Sequence, residues 1–333
     1  MRRDAAELAS IAAERGFAIE DVERVVVLMS LLQGISDHSD LGRAFALKGG
    51  AALNLFLADL PRHSRDIDLN YVEDVSVEQM LARRPALETA LRWVCTQADV
   101  SVAFVPREHA GGTWRCRFLG HDGRRRNVEF DVTWMARVPL WPLRRADAIS
   151  IGAHSVTGMQ LLSLEELAVG KILALLERSE PRDVFDVALL FERGGIDLES
   201  LRAGLVALSA STHDFDLRRA DPEIPHHDPK TVAQGLQRLL VAGTIPDGHE
   251  AAAWAADRLE SCRRALRGLL RLRTGESAFL DAVLDRGEIQ PSLLDCEQEL
   301  RDRIARHPGV RWRAQSIASH RAARDASPHA PVE

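Results

Sequence analysis

The sequence predicts an α+β protein, with a mixed sheet and helices in residues 1–160 and a helical domain in residues 161–321. Two observations lead to this prediction: apolar residues alternate with a period of two in several segments before residue 158, and from Ser163 onward they recur at helical spacing. Ser163 followed by Glu166 has the form of a helix capping box, which marks the boundary between the domains. Residues 322–333 are predicted to be a disordered tail.

The first domain is predicted to begin with one or two packing helices in residues 4–34, because apolar side chains recur there at three- and four-residue spacing. A short apolar strand, 45–47, then runs into Lys48-Gly49-Gly50, after which helical spacing resumes at 51–57. The remaining predicted elements are a helix at 77–98 and strands at 67–72, 100–105 and 126–134. The glycines therefore lie in a turn between a strand and a helix.

The second domain is predicted to be almost wholly helical. Turns rich in Gly, Pro and Asp separate its segments of helical spacing. The predicted helices span about 164–178, 182–193, 198–209, 230–241, 250–272 and 291–306.

Composition narrows the class of protein. The chain has 333 residues, 46% of them hydrophobic, which is enough for about two domains with buried cores. Its formal net charge is -6, so any nucleic-acid contact must come from a local basic patch. The four cysteines show no CxxC spacing, and no apolar run is long enough for a signal peptide or a membrane span. We therefore expect a soluble, cytoplasmic protein that makes no use of a membrane.

The basic residues are unevenly distributed between two types. Only Lys48, Lys171 and Lys230 are lysines among 43 basic residues, so 43 − 3 = 40 are arginines. Lysine presents a compact ammonium as a point charge, whereas arginine presents a wide planar fork. A lysine retained against this bias suggests a position where arginine cannot replace it; the alternative is arginine-rich drift with three remnants.

Two acidic strands carry the strongest chemical signal. Asp66 and Asp68 lie two residues apart and project from one face of a strand, while Glu129 and Asp131 do the same on another. Neighbouring carboxylates repel each other unless a cation lies between them, and a divalent ion that carries nucleotide phosphates resolves this conflict. The alternative is an exposed edge strand whose carboxylates are simply hydrated.

These residues resemble the AbiEii/MenT group of nucleotidyltransferase toxins, within the DNA polymerase beta-like nucleotidyltransferase superfamily. The resemblance implies a nucleotidyltransferase-like mixed sheet followed by a helical domain that completes the nucleotide site and the acceptor surface. It lies in three segments: LKGGAALNLFLADLPRHSRDIDLNYV (47–72), VEFDVTWMARVPL (128–140) and SLEELAVGKILALLERSEPRDVFDVALL (163–190).

The resemblance also assigns roles to individual residues. It implies that Gly49 and Gly50 hold the triphosphate, that Asp66 and Asp68 bind two metal ions, and that Asp131 is the third metal-binding carboxylate. A hydroxyl that relatives often carry after the glycines is absent, because Ala51 stands there.

Further nucleotide contacts are expected from Lys48, Arg62, Ser64 and Lys171, and a catalytic role from Lys171 and Asp186. Arg62 has a structural ion pair as its alternative role, and Asp186 has a surface pair with Arg182, four residues earlier. In some relatives, phosphorylation of the serine that matches Ser64 silences the toxin, and we carry this over as a hypothesis.

The implied activity is transfer of a nucleotide from a nucleoside triphosphate to RNA, with the 3′ end of tRNA as the favoured acceptor. Mg²⁺ is the expected cofactor, with Mn²⁺ as an alternative, and a cognate antitoxin is the expected partner. Basic runs at 124–126 and 301–325, the latter with Trp312, are candidate RNA contacts. Two other functions remain open: modification of a small molecule such as an antibiotic, and an inert interaction module.

Overall fold

The computed structural model describes residues 4–106, 108, 110–212, 215–221 and 223–326, and these form two compact units. The first unit comprises the described residues of Met1–Arg137, Pro142–Ser163 and Pro229–Ala255, and the second those of Val138–Trp141, Leu164–Asp228 and Ala256–Glu333. One boundary between the two units falls after Ser163. The segment 229–255, which the sequence analysis assigns to the helical domain, lies in the first unit.

A seven-stranded mixed sheet forms the centre of the first unit, in the order β3-β4-β5-β2-β1-β7-β6. Strand β2 pairs parallel with β5 and β1 pairs parallel with β7, while the other neighbours are antiparallel. The strands are β1 Phe45–Lys48, β2 Asp66–Tyr71, β3 Val100–Phe104, β4 Gly111–Leu119, β5 Arg125–Thr133, β6 Arg144–Ala146 and β7 Met159–Leu161. The predicted mixed sheet is confirmed, and β4, β6 and β7 are additional to the predicted strands.

The helices agree with the predicted spacing in most places. Before the second unit they are α1 Ala5–Arg15, α2 Ile19–Asp37, α3 Leu41–Ala44, α4 Gly49–Ala51, which continues as a π-helix Ala52–Leu57, and α5 Val77–Gln97. The later helices are α6 Leu164–Arg178, α7 Pro181–Arg193, α8 Leu198–Ser209, α9 Pro229–Leu236, α10 Glu250–Leu270, α11 Thr274–Asp281, α12 Gln298–Arg306 and α13 Pro308–Ala326.

The C-terminal helices differ from their predicted bounds. The helix predicted at 291–306 is a 3₁₀ turn, Pro291–Leu293, followed by α12, because proline at the first position starts a turn that the next residues do not continue. Helix α13 extends to Ala326, inside the segment predicted as a tail, and residues 327–333 lie outside the described residues. Within the described residues, no helix combines the length and the apolar composition needed to cross a membrane.

Strict alternation along β4 and β5 separates two faces of the sheet. Trp114, Cys116 and Phe118 of β4 are buried, and so are Val128, Phe130 and Val132 of β5, whereas the residues between them lie on the opposite face. Because side chains alternate across a strand, the residues between these core positions share the other face. The two acidic strands carry their carboxylates on that other face.

The second unit contains a buried ion pair between α8 and α11. The Arg202 guanidinium donates through Nε to Glu276 Oε1 at 2.9 Å and through Nη2 to Oε2 at 2.6 Å. It also donates to the backbone carbonyls of Gly268 and Arg271. Both side chains are more than nine-tenths buried, so the pair requires all of these partners to offset its desolvation.

Arg202→Met is expected to lower the free energy of unfolding by about 3–5 kcal/mol, because it leaves the Glu276 carboxylate buried without its cation. Arg273→Met is the matched control, since Arg273 pairs with Glu199 on the surface and its loss should leave stability close to wild type. Urea unfolding of both variants measures the difference. Equal losses would contradict the assignment of Arg202 as a buried anchor.

Candidate active site

Strand register places the predicted site residues of the first unit in rows on one face of the sheet. Asp68 pairs with Lys48 of β1 on one side and with Asp131 of β5 on the other. Asp66 pairs with Glu129 in the next row. Because hydrogen-bonded strands lie about 4.8 Å apart, Asp68 and Asp131 are immediate neighbours. The predicted face shared by Asp66, Asp68 and Asp131 is present.

The carboxylates do not form a ready-made metal cage. Among the described residues, no group of three Asp, Glu, His or Cys side chains is gathered closely enough to hold a metal ion. Mg²⁺ is usually held by one or two carboxylates together with substrate phosphates, and only rarely by an all-protein cage. The register pair of Asp68 and Asp131 supplies hard oxygen donors of this kind, so the residues fit a cation that binds together with phosphates.

Gly49 leaves the space that the Asp68 carboxylate occupies. Its backbone has φ +70°, a conformation that favours glycine, and a Cβ at this position would overlap Asp68 Oδ2. A Cβ at Gly50 would lie 2.9 Å from Ser64 Oγ and 3.1 Å from Arg62 Nη2. The two glycines therefore bring the backbone of the turn directly against three of the predicted site side chains.

Lys48 reaches across the sheet face. Its ammonium donates to Thr133 Oγ1 of β5 at 3.3 Å, so the side chain that starts on β1 passes over β2. The cation thus lies on the same face as Asp68 and Asp131. This location explains the retained lysine better than support of the strand end alone.

Asn70 is a polar residue of this face that the sequence analysis does not single out. It lies two residues beyond Asp68 on β2, in register with Thr133, and is 5% exposed. Within the described part of the chain its Oδ1 has no hydrogen-bond partner. The signal was present in the sequence, because Asn70 continues the two-residue period of Asp66 and Asp68.

A distant segment holds the loop that carries Arg62 and Ser64. The His63 backbone NH donates to Leu239 O at 3.1 Å, and His63 Nε2 donates to Arg238 O at 3.0 Å. Val241 NH donates to Pro61 O at 3.3 Å. Burial lowers the pKa of His63, although Asp21 opposes this effect. Sequence reasoning missed this support, because pairing between residues so far apart leaves no local pattern.

Arg62 and Ser64 are both buried. Arg62 Nη1 donates to the His63 carbonyl at 3.1 Å, and Ser64 Oγ donates to the Asp66 carbonyl at 3.4 Å. Ser64 is 7% exposed, so a modifying enzyme reaches its hydroxyl only if the loop moves. Phosphorylation of Ser64 stays a hypothesis.

Lys171 and Asp186 form an ion pair within the second unit. Lys171 Nζ lies 2.7 Å from Asp186 Oδ2, and the Asp186 side chain is fully buried. This partner offsets the burial of the Lys171 ammonium on α6. The alternative surface pair of Asp186 with Arg182 is wrong, because Arg182 pairs with Glu180 at 2.8 Å.

The basic run at 124–126 is heterogeneous. Arg126 is only 10% exposed and pairs with Glu23 of α2 and with Asp122, so it joins α2 to the β4–β5 hairpin. Arg124 is 86% exposed in the turn. Replacing the whole run would therefore disturb packing as well as any RNA contact.

The other candidate RNA contact, the basic run at 301–325, lies in the second unit. Its aromatic residue, Trp312, is 51% exposed on α13.

The family model described as nucleotidyl transferase AbiEii toxin, type IV TA system, matches residues 30–260. The chain belongs to the AbiEii nucleotidyltransferase toxin family. The prediction of an AbiEii/MenT-type nucleotidyltransferase toxin of a toxin–antitoxin system is confirmed. No curated protein sequence matches the chain.

A solved structure supports the fold of this AbiEii-family chain. MenT4, a nucleotidyltransferase toxin from Mycobacterium tuberculosis H37Rv, is similar with a TM-score of 0.56 and 17% sequence identity. The match covers 91% of this chain and 98% of MenT4. At this identity the likeness establishes the fold, and the predicted fold class is confirmed.

Gly49→Ala is expected to lose nucleotide binding and to destabilise the chain, because the new methyl group displaces the Asp68 carboxylate. Gly243→Ala is the matched control, since Gly243 has φ +80° but a Cβ added there would meet nothing within 4 Å. The control should show only the backbone cost of about 1–2 kcal/mol. Calorimetric titration with Mg²⁺ and each ribonucleoside triphosphate, alongside urea unfolding, separates the two effects. Equal behaviour of the variants would refute the close packing of Gly49 against Asp68.

Proposed function

We propose that this AbiEii-family enzyme transfers a nucleotide from a nucleoside triphosphate to an RNA acceptor, namely the 3′ end of tRNA. The observation that carries the proposal is the row formed by Lys48, Asp68 and Asp131 beside the glycine turn. A cation and two carboxylates on one face, next to the glycine turn, suit phosphate chemistry. The family supports nucleotidyl transfer.

Asp66, Asp68 and Asp131 are the residues we assign to a divalent cation, Mg²⁺ first and Mn²⁺ second. When bound, the ion neutralises phosphate charge and lowers the pKa of a coordinated hydroxyl. The two-metal arrangement implied by the resemblance is part of this proposal.

The remaining groups of the first unit bind and orient the triphosphate. The backbone at Gly49 and Gly50, the Lys48 ammonium, the Arg62 guanidinium and the Ser64 hydroxyl present donors to phosphate oxygens. Arg62 and Ser64 are buried and pack against Gly50, so their donors are held in place before the nucleotide binds. Preorganised donors of this kind stabilise charge on the transferred phosphoryl group.

In the reaction, an acceptor hydroxyl oxygen forms a bond to the α-phosphorus as the bond to the leaving pyrophosphate breaks. Asp131 is the carboxylate on the strand next to β4, and we assign it the proton of the attacking hydroxyl. Lys171 and Asp186 keep the roles that the resemblance implies, with Lys171 as a phosphate contact. Their ion pair also joins α6 to α7 within the second unit, whether or not a substrate is bound.

Addition of a nucleotide to the 3′ end of tRNA blocks the terminal ribose to which an amino acid is attached. Translation then stops for that tRNA. The type IV toxin–antitoxin family implies a cognate antitoxin that prevents this outcome. Toxicity to the cell should therefore rise with the rate at which the enzyme transfers nucleotide to tRNA.

Incubation of the enzyme with total tRNA and each α-labelled ribonucleoside triphosphate should transfer label to RNA. Asp68→Asn and Asp131→Asn should each lower the rate at least about a hundredfold, because they keep the volume and remove the charge. Glu129→Gln is the matched control, since Glu129 shares the face but is not assigned to the reaction, and it should retain most activity.

Lys171→Arg is the informative variant for the second unit, because it keeps the charge beside Asp186 and changes only its shape. Lys171→Ala is less informative, since it removes the ammonium that pairs with the buried Asp186 carboxylate. Label on antibiotics instead of RNA would favour a small-molecule enzyme. No labelled product with any nucleotide would favour an inert module and contradict the proposal.

A further inference from the structure

The exposed face of the sheet continues beyond the carboxylates onto the edge strands. In the pairing of β5 with β4, Asp131 lies opposite Thr113. Two residues further along β5, Glu129 lies opposite Arg115, and Asn127 then lies opposite Arg117. Phe104 of the edge strand β3 pairs with Arg115. We define the edge strip as the residues of this outward face that lead away from Asp131: Phe104, Arg115, Arg117, Arg125 and Asn127.

All members of the edge strip are exposed to solvent. The core residues between them, such as Trp114 and Cys116, point to the other face. Residues on one face of a strand repeat about every 6.8 Å, so the strip from Asp131 to Arg125 is roughly 20 Å long. It is therefore an extended track that begins at the carboxylate we assign to the acceptor hydroxyl.

The arginines of the strip lack the carboxylate partners that several other arginines of this chain have. Arg267, Arg258 and Arg273 each pair with a glutamate. Within the described residues, Arg115, Arg117 and Arg125 take part in no ion pair, although Glu129 lies in register with Arg115. Three guanidinium groups without carboxylate partners on one face form a local positive patch in a chain of net charge -6.

An exposed aromatic ring lies within this positive patch. Phe104 is 52% exposed, and the Arg115 guanidinium carbon lies 5.8 Å from the centre of its ring. Proteins that bind single-stranded nucleic acid combine cationic tracks with aromatic side chains on which bases stack. Phe104 and Arg115 supply both features at one point of the strip.

We propose that the edge strip binds the single-stranded end of the RNA acceptor and guides its terminal hydroxyl to Asp131. Arg115, Arg117 and Arg125 contact successive phosphates, Phe104 stacks on a base, and Asn127 hydrogen-bonds the backbone. This inference rests on the proposed function for the identity of the reaction, but its binding step is independent of turnover. The proposal gives the neighbouring arginines different roles: Arg125 lies on the strip and contacts RNA, whereas Arg126 pairs with Glu23 and stabilises the fold.

The test measures the affinity of a fluorescent single-stranded oligoribonucleotide of mixed sequence by anisotropy at several KCl concentrations. The double variant Arg115→Gln/Arg117→Gln should bind at least about tenfold more weakly at low salt, because two charged contacts are lost. The slope of log affinity against log salt should fall by about 1.4, since each phosphate contact contributes about 0.7 for single strands.

Two matched controls keep this test specific. Arg43→Gln/Arg83→Gln removes the same charge from α3 and α5, outside the strip, and should change affinity little. Phe104→Ala should weaken binding about tenfold through lost stacking, whereas Trp93→Ala, an exposed aromatic that contacts His38, should not. The replaced side chains are all largely exposed, and urea unfolding of each variant verifies that the folds are intact.

Equal losses in the strip variant and in the Arg43/Arg83 control would overturn the edge strip. Displacement of the RNA by polyglutamate at equal charge would also overturn it, because an acidic protein would then fit equally well. RNA binding that depends on the strip, in an enzyme that transfers no nucleotide, supports the strip and refutes the proposed function. Normal transfer to tRNA by the strip variant refutes the strip and leaves the proposed function standing.

Discussion

The register of β2 between β1 and β5 is the constraint on which the site of the first unit depends. It sets Asp68 between Lys48 and Asp131 and leaves Gly49 against the Asp68 carboxylate. A shift of one residue in β2 would turn Asp66 and Asp68 to the core face, because side chains alternate along a strand. Burial of Ile67 and Leu69 prevents that shift. The hydrophobic core thereby fixes the position of the charged groups.

Long-range contacts then protect this arrangement. The backbone of 238–241 holds the loop at 61–63, and Glu23 of α2 accepts the His121 backbone NH at 2.6 Å and pairs with Arg126. The first contact stabilises the phosphate side of the site and the second stabilises the hairpin that carries Asp131. The outward residues of the same hairpin are left exposed. One set of strands therefore supports both the candidate nucleotide site and the proposed acceptor track.

The sequence predicted strands correctly where apolar and polar residues alternate, because the alternation shows which side chains share a face of the sheet. The alternation at 66–69 and 128–132 predicted both acidic strands, and the glycine turn between strand and helix was found at its observed place. Strand β4 was missed although Trp114, Cys116 and Phe118 alternate with arginines as clearly as the core residues of β5 alternate with polar ones. Strands β6 and β7 have three residues each, which is too short to show a period. The edge strip depends on the pairing of β4 with β5, so it could not be predicted without that strand.

Chemical roles were harder to predict than faces. The charge of Lys171 on α6 was noticed, but its partner Asp186 lies on the next helix, and the i,i+4 rule offered Arg182 as the alternative partner of Asp186. The contribution of residues 238–241 to the Arg62 loop has no local pattern at all. Both cases are contacts between different elements. The periodicity of a sequence shows which face of an element a side chain lies on, but not which other element packs against that face.

The central claim is that Asp68 and its register partners bind a nucleotide together with a divalent cation. Isothermal titration calorimetry of the wild-type chain with each ribonucleoside triphosphate, in Mg²⁺ and in EDTA, tests it directly. We expect binding in Mg²⁺, little or none in EDTA, and loss of the Mg²⁺-dependent heat in Asp68→Asn. Equal binding in Mg²⁺ and EDTA, or unchanged binding by Asp68→Asn, would contradict it.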